Sequence, residues 1–190
     1  MDTVTELSKD LEEYLKSYCG ITNEEVLKNT PKRFLAFLAD YSSGNKEYND
    51  FKTFPETCNN MVTVEVPFYS LCEHHLLPYF GTAFVGYLPK DEVLGLSKIV
   101  KFVQHSFRKP SKQESVTMLI ADTLNQKVNT SGVAVVTRAF HCCYAMRYSN
   151  GWTTSATMVG KFDHRNKGYN PHAKEEFLTY IQPRLNELRL

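Results

Sequence analysis

Apolar positions in the first part of the chain recur at helical spacing. Val4, Leu7, Leu11, Tyr14 and Leu15 form one face, which predicts a helix that ends at Cys19-Gly20, where glycine supplies a stop. Thr22 and Glu25 have capping-box spacing, predicting a short second helix. Thr30-Pro31 then sets a proline at the first turn of a third, where its missing N–H costs little. Phe34, Leu35, Phe37, Leu38 and Tyr41 give that helix an apolar face. Residues 42–60 are polar and irregular and read as a linker.

From Met61 the period drops to two. Val62, Val64 and Val66 alternate with Thr63, Glu65 and Pro67, the sign of a half-buried strand. A second strand is predicted over 80–88. Helices follow over 97–108, with Val100, Val103 and Phe107 on one side, and over 112–129, with Val116, Leu119, Ile120 and Leu124. A long strand is predicted over 132–147, a hairpin turn at Ser149-Asn150-Gly151, and a partner strand over 152–162. A last helix over 173–182 is expected to stop near Pro183. This order implies an α+β class, an antiparallel four-stranded sheet with helices packed on one face. Residues 1–60 are expected to form an N-terminal helical region and linker, and 61–190 the main domain.

Composition narrows the function classes. The chain is 42% hydrophobic and 23% charged, with a net charge of +1. That balance supplies a normal core but lacks the basic excess of a nucleic-acid or membrane-surface binder. No apolar run approaches the ~20 residues of a membrane helix. Residues 1–10 are polar and acidic, unlike a secretory or transit leader. The five cysteines are an odd count that argues against a disulfide framework. A reducing, cytoplasmic compartment is expected, with thiols free to bind metal.

The strongest chemical signal is Cys72-Glu73-His74-His75. Zinc takes thiolate sulfur and imidazole nitrogen, and Cys-x-x-His lets Cys72 and His75 reach one ion from a turn. A third ligand is sought in Phe140-His141-Cys142-Cys143. Strand alternation would put His141, Cys143, Ala145 and Arg147 on one side, and Phe140, Cys142, Tyr144 and Met146 on the apolar other. That favours Cys143 as ligand and Cys142 as a buried thiol. Two thiolates and one imidazole leave a coordination position open, as catalytic zinc sites do. The same spacing also fits buried cysteines and surface histidines with no metal.

Lys98 and Lys101 are one helical turn apart, after Gly95-Leu96-Ser97, where free N–H groups attract anions. With Arg147 they could hold a polyphosphate, or they could line a solvated helix face. Glu114, next to Gln113, could accept the N1–H and amino group of guanine; equally, Ser111 and Glu114 fit a capping box.

Together these segments resemble the GTP cyclohydrolase I family. The resemblance covers most of the chain from Thr30-Pro31-Lys32-Arg33 to the last predicted helix. It rests on Ser70-Leu71-Cys72-Glu73-His74-His75, Tyr87-Leu88-Pro89, Gly95-Leu96-Ser97-Lys98, Gln113-Glu114 and His141-Cys142-Cys143, in matching order. It implies zinc ligands at Cys72, His75 and Cys143 and acid–base histidines at His74 and His141. It also implies guanine contacts at Gln113 and Glu114, and triphosphate contacts at Ser97, Lys98 and Arg147, joined by Lys101. The implied fold is the tunnelling fold, with a catalytic domain over 61–190 assembled into a homodecamer whose active sites lie at subunit interfaces. The implied reaction is zinc-dependent hydrolytic opening of the imidazole ring of GTP, with loss of formate and formation of dihydroneopterin triphosphate, the entry to folates, biopterins and deazaguanine compounds. Neither nucleic acid nor membrane is an implied partner.

The family usually carries arginine where this chain has Lys101 and Ser115, and a longer loop after Arg147. A nucleobase deaminase would need His-x-Glu followed by Pro-Cys-x-x-Cys, and neither occurs. The remaining alternative is a diverged nucleotide-binding or regulatory subunit on the same fold.

Overall fold

The structure, a computed structural model, describes residues 3–58, 60–148 and 150–187. The chain divides into two compact units, Met1–Ser43 and Gly44–Leu190. In the first unit helix α1 (Thr3–Ser17) packs against α2 (Glu24–Asp40). Gly20 takes the left-handed conformation, φ +67°, that ends α1 as its sequence predicts. The cap of α2 is Asn23 rather than Thr22, its side chain accepting from the Val26 N–H at 3.2 Å. The expected break at Pro31 is absent. The helix runs through that proline, which is buried, so packing offsets the backbone bond that its ring removes.

In the second unit the stretch expected as a linker carries structure. Strand β1 (Thr53–Pro55) pairs antiparallel with a later strand, and Tyr48 and Phe51 pack on the core. Two long strands follow, β2 (Val62–Leu71) and β3 (Pro78–Pro89), then β4 (Glu92–Leu94), the partner of β1. Helices α3 (Leu96–Ser106) and α4 (Gln113–Lys127) lead to β5 (Thr130–His141). A four-residue helix α5 (Cys142–Ala145), strand β6 (Trp152–Gly160) and helix α6 (Pro171–Glu187) complete the unit.

The main sheet is antiparallel, in the order β2-β3-β5-β6. Alternation decides what each face buries. Val85, Val133 and Val135 meet Ile99, Phe102 and Val103 of α3 and Val116, Ile120 and Leu124 of α4. Phe84, Ala134 and Val136 point the other way, into a cluster with Phe162, Phe177 and Ile181. So α3 and α4 cover one face as expected, whereas α6 lies on the opposite face. The central strands therefore read as continuous apolar runs, buried from both sides. Leu119, expected in the core, is instead exposed on α4. Like α2, α6 runs past its proline, Pro183.

Gly86 makes the α6 contact possible, since a Cβ there would lie 2.5 Å from the Phe177 ring. Phe177 is fully buried and has no space to retreat. Gly86→Ala is therefore expected to cost about 1–3 kcal/mol through overpacking, seen as a lower denaturant midpoint at unchanged slope.

The long strand expected over 132–147 stops at His141. The chain then turns helically, with the Met146 N–H bonded to Cys142 O at 3.0 Å, while His141 N–H reaches across to Gly151 O at 2.8 Å. Asn150-Gly151 thus closes a longer connection and not a two-residue hairpin; Ser149 lies outside the described residues.

Candidate active site

Three segments meet at one end of the sheet. The first is the turn between β2 and β3, where Cys72 N–H donates to Leu77 O at 2.9 Å and Leu76 N–H to Cys72 O at 2.8 Å. Leu76 adopts φ +53° to close it, a conformation costing roughly 1–2 kcal/mol for a residue with a Cβ. The second is the approach to α4, tied in by the Ser111 N–H bond to Leu71 O at 2.9 Å. The third is α5, at the end of β5.

The ligand atoms of Cys72, His75 and Cys143 all lie within 4.8 Å of one another. Cys72 and Cys143 are buried and His75 is exposed, so the cluster opens to solvent on its imidazole side. The Cys72 Sγ is 3.6 Å from His75 Nδ1. On the ring's far side the Arg147 guanidinium, which can only donate, is 2.6 Å from His75 Nε2. Burial, with Cys72 alongside, pushes the Cys143 thiol above its ordinary pKa. Alternation had made Cys142 the buried thiol. Because α5 and not a strand carries this pair, Cys143 is the buried one and Cys142 is half-buried.

His141 lies beside this cluster, stacked on Tyr79 with ring centroids 4.6 Å apart and planes 2° from parallel. Burial pulls its pKa below the ordinary histidine value, and the charge of Glu114 pulls it partly back. The ring is therefore neutral at pH 7. His74 is exposed, its Nε2 3.7 Å from the Glu73 carboxylate, which also pairs with Lys112 at 3.1 Å.

Gln113 departs from expectation. It is 1% exposed, and its carboxamide is fully engaged within the protein. The amino group donates to Thr137 O and Thr137 Oγ1, both at 2.9 Å. The oxygen faces His141 Nε2 at 2.8 Å and accepts from Thr153 Oγ1 at 2.6 Å. No donor or acceptor of that side chain is left for guanine. Glu114, the next residue, is exposed. The Ser111–Glu114 capping box is not formed either. Lys112 holds the cap position without a side-chain bond, and the Ser111 hydroxyl is buried against Tyr79 OH at 3.0 Å and Ser70 Oγ at 3.3 Å.

Ser97, Lys98 and Lys101 are not brought to this cluster. Ser97 and Lys98 stand in the first turn of α3, close in the chain to Leu94, whose N–H bonds the Tyr87 hydroxyl at 3.0 Å, and Lys101 stands at the middle of the helix. From Tyr79 to Tyr87 the chain covers about 25 Å of strand. Lys98 is held there by Asp50, 2.5 Å away. Asp50, Tyr79, Thr137 and Thr153 carried no sequence signal. Each acts through a partner distant in the chain, and neither strand alternation nor a local motif marks such a partner.

Residues 7–182 match the family described as GTP cyclohydrolase I. A protein named GTP cyclohydrolase 1 from Synechococcus sp. (strain JA-2-3B'a(2-13)) is 39% identical over 166 residues, 83% of this chain and 70% of that protein. Another of the same name, from Campylobacter jejuni subsp. jejuni serotype O:6 (strain 81116 / NCTC 11828), is 38% identical over 187 residues, 92% of this chain and 96% of that protein. Among solved structures, an archaeosine synthase QueF-Like in its apo form aligns with a TM-score of 0.47 at 15% identity, covering 55% of this chain and 97% of that chain.

Proposed function

The chain belongs to the GTP cyclohydrolase I family and is a hydrolase acting on GTP; from that membership we propose which residues carry the reaction. Cys72, His75 and Cys143 hold zinc. The single observation behind this assignment is the convergence of their ligand atoms within 4.8 Å. The donor set fits, since two thiols and an imidazole suit zinc and leave one tetrahedral position free. Zinc held there supplies Lewis acidity at neutral pH and lowers the pKa of a water at the open position.

The remaining steps belong to side chains. His141, neutral and fixed in plane by Tyr79, and His74, exposed at the rim, exchange protons with the imidazole ring of GTP as it opens and loses formate. The Glu114 carboxylate accepts from guanine N1–H and the exocyclic amine. Arg147, Ser97, Lys98 and Lys101 bind the triphosphate, which passes unchanged into dihydroneopterin triphosphate. Asp50 must release Lys98 for that contact to form.

A nucleotide at the metal cluster meets Arg147 of the same chain, beside His75, while the Ser97 and Lys98 contacts at the start of α3 come from a second copy. The outer edges of β2 and β6 have no strand partner among the described residues, and edge pairing between copies builds a closed ring. A homodecamer with active sites between subunits follows this pattern. A cytoplasmic location fits a site whose two thiols must stay reduced; among the described residues, no helix is long and apolar enough to cross a membrane.

The deciding experiment incubates the protein with GTP, with and without a zinc chelator. Formate and a pterin are followed together. Both products, lost on chelation and restored by zinc, are expected. Bound nucleotide without either product would favour the regulatory-subunit reading.

Metal loading carries a proton signature. The raised Cys143 pKa means that its thiol is protonated at pH 7, and zinc must displace that proton. Zinc titration of the metal-free protein is therefore expected to release protons, with affinity weakening as pH falls. Calorimetry in buffers of different ionisation enthalpy checks this; a heat independent of buffer would contradict it.

A further inference from the structure

The hydrogen bonds around Gln113 determine where the proton of His141 sits. Thr137 O is a backbone carbonyl and can only accept, so the nitrogen of the Gln113 carboxamide must be the atom 2.9 Å from it. The second amino hydrogen goes to Thr137 Oγ1. Thr117 Oγ1 gives its hydrogen to Gln113 O at 2.7 Å, so across the 2.8 Å contact between the two hydroxyls Thr137 is the donor. Every hydrogen in this buried chain is then accounted for, and the carboxamide cannot be turned over without setting an oxygen against a carbonyl.

The carboxamide oxygen consequently faces His141 Nε2 and Thr153 Oγ1. An amide oxygen has no hydrogen to give, so Nε2 must carry one. In a neutral imidazole the lone pair is then on Nδ1. The second acceptor site of that oxygen is filled by Thr153, which holds the carboxamide on the His141 side. Tyr79 fixes the ring plane through its stack, and the Ser111 hydroxyl anchors Tyr79 in turn.

We propose that Gln113 and Thr153 are positioning residues that lock His141 with its proton on Nε2, so that Nδ1 is the one atom through which this ring exchanges protons with substrate. This rests on the acid–base role given to His141 above. It replaces a guanine contact by the Gln113 side chain with an orienting role. Nε2 keeps its hydrogen bond to the Gln113 oxygen throughout.

The test uses zinc-loaded protein carrying 15N-histidine. The His141 signals are identified by their absence in His141→Asn. Wild type is expected to show a protonated Nε2 and an unprotonated Nδ1. Gln113→Met, similar in length but unable to hydrogen-bond, should lose that preference. Its kcat should fall about 10–100-fold, the usual cost of losing an orienting partner, with KM for GTP changed far less. Thr153→Val should fall in the same direction by less, and Thr153→Ser should restore both the spectrum and kcat. An unprotonated Nε2 in wild type overturns the proposal. So does a Gln113→Met enzyme whose loss is in KM while its tautomer is unchanged. If Gln113→Met does not fold, the wild-type spectrum and the Thr153 pair decide. The expected tautomer in a protein that releases no formate from GTP would overturn the reaction assigned above and leave the tautomer assignment standing.

Discussion

Cys143→Ala is expected to remove bound zinc and to lower formate release by more than about 10³-fold, roughly 4 kcal/mol of barrier. Cys72 and His75 reach the site from one turn, and two donors leave half of a tetrahedral shell empty. Cys143 comes from the far side, at the start of α5, and is the donor that closes the cluster around a single point. Replacing a small thiol by a methyl group leaves little cavity, so the protein should remain folded and the loss should be specific. Cys142→Ala is the matched control, because that thiol lies outside the cluster; its metal content and rate should be close to wild type. Metal per chain by elemental analysis, alongside formate, distinguishes the two. A Cys143→Ala protein that keeps both metal and rate would remove Cys143 from the site.

The double change His74→Ala, His141→Ala should leave zinc in place and still lower formate release by about 10²–10⁴-fold, the range of general acid–base catalysis. Neither imidazole is needed for the fold. His74 is exposed, and loss of His141 leaves the Gln113 oxygen with its Thr153 bond. His141 is the ring held in a fixed plane, so its single variant should account for most of the effect. Unchanged formate release in the double variant would end the mechanism proposed here.

The clustering of Cys72, His75 and Cys143 was legible because its signal is largely local. Cys72 and His75 share a turn, and the alternation of Val62, Val64 and Val66 marks the strand that delivers it. The choice of Cys143 over Cys142 came from strand alternation, although α5 is helical. A spacing of four, from Cys143 to Arg147, keeps two residues on one face in either conformation, so their relation survived the wrong element. What stayed hidden depends on partners far away in the chain. Pro31 sits inside its helix because burial there outweighs a local cost of about 3 kcal/mol, whereas Pro183 is exposed and α6 is held past it by Phe177, Ile181 and Leu185 on the sheet. Ser111 faces Tyr79 and Ser70 where a local rule makes it a cap. Gln113 faces Thr137 and Thr153 where its place beside Glu114 suggests a ligand. The strand at Thr53–Pro55 is visible only once β4 is there to pair with it.

The distance between Lys98 and the Cys72 cluster has a genetic consequence. On the proposed arrangement each subunit lends its metal half to one site and its phosphate half to another, so no chain owns a whole active centre. Two chains crippled in different halves, one at Lys98 and one at Cys143, would rebuild intact centres wherever their sound halves meet in a mixed ring. A chain crippled in both would silence a centre on either side of it. Alleles of such a gene would complement or act dominantly according to the half they strike.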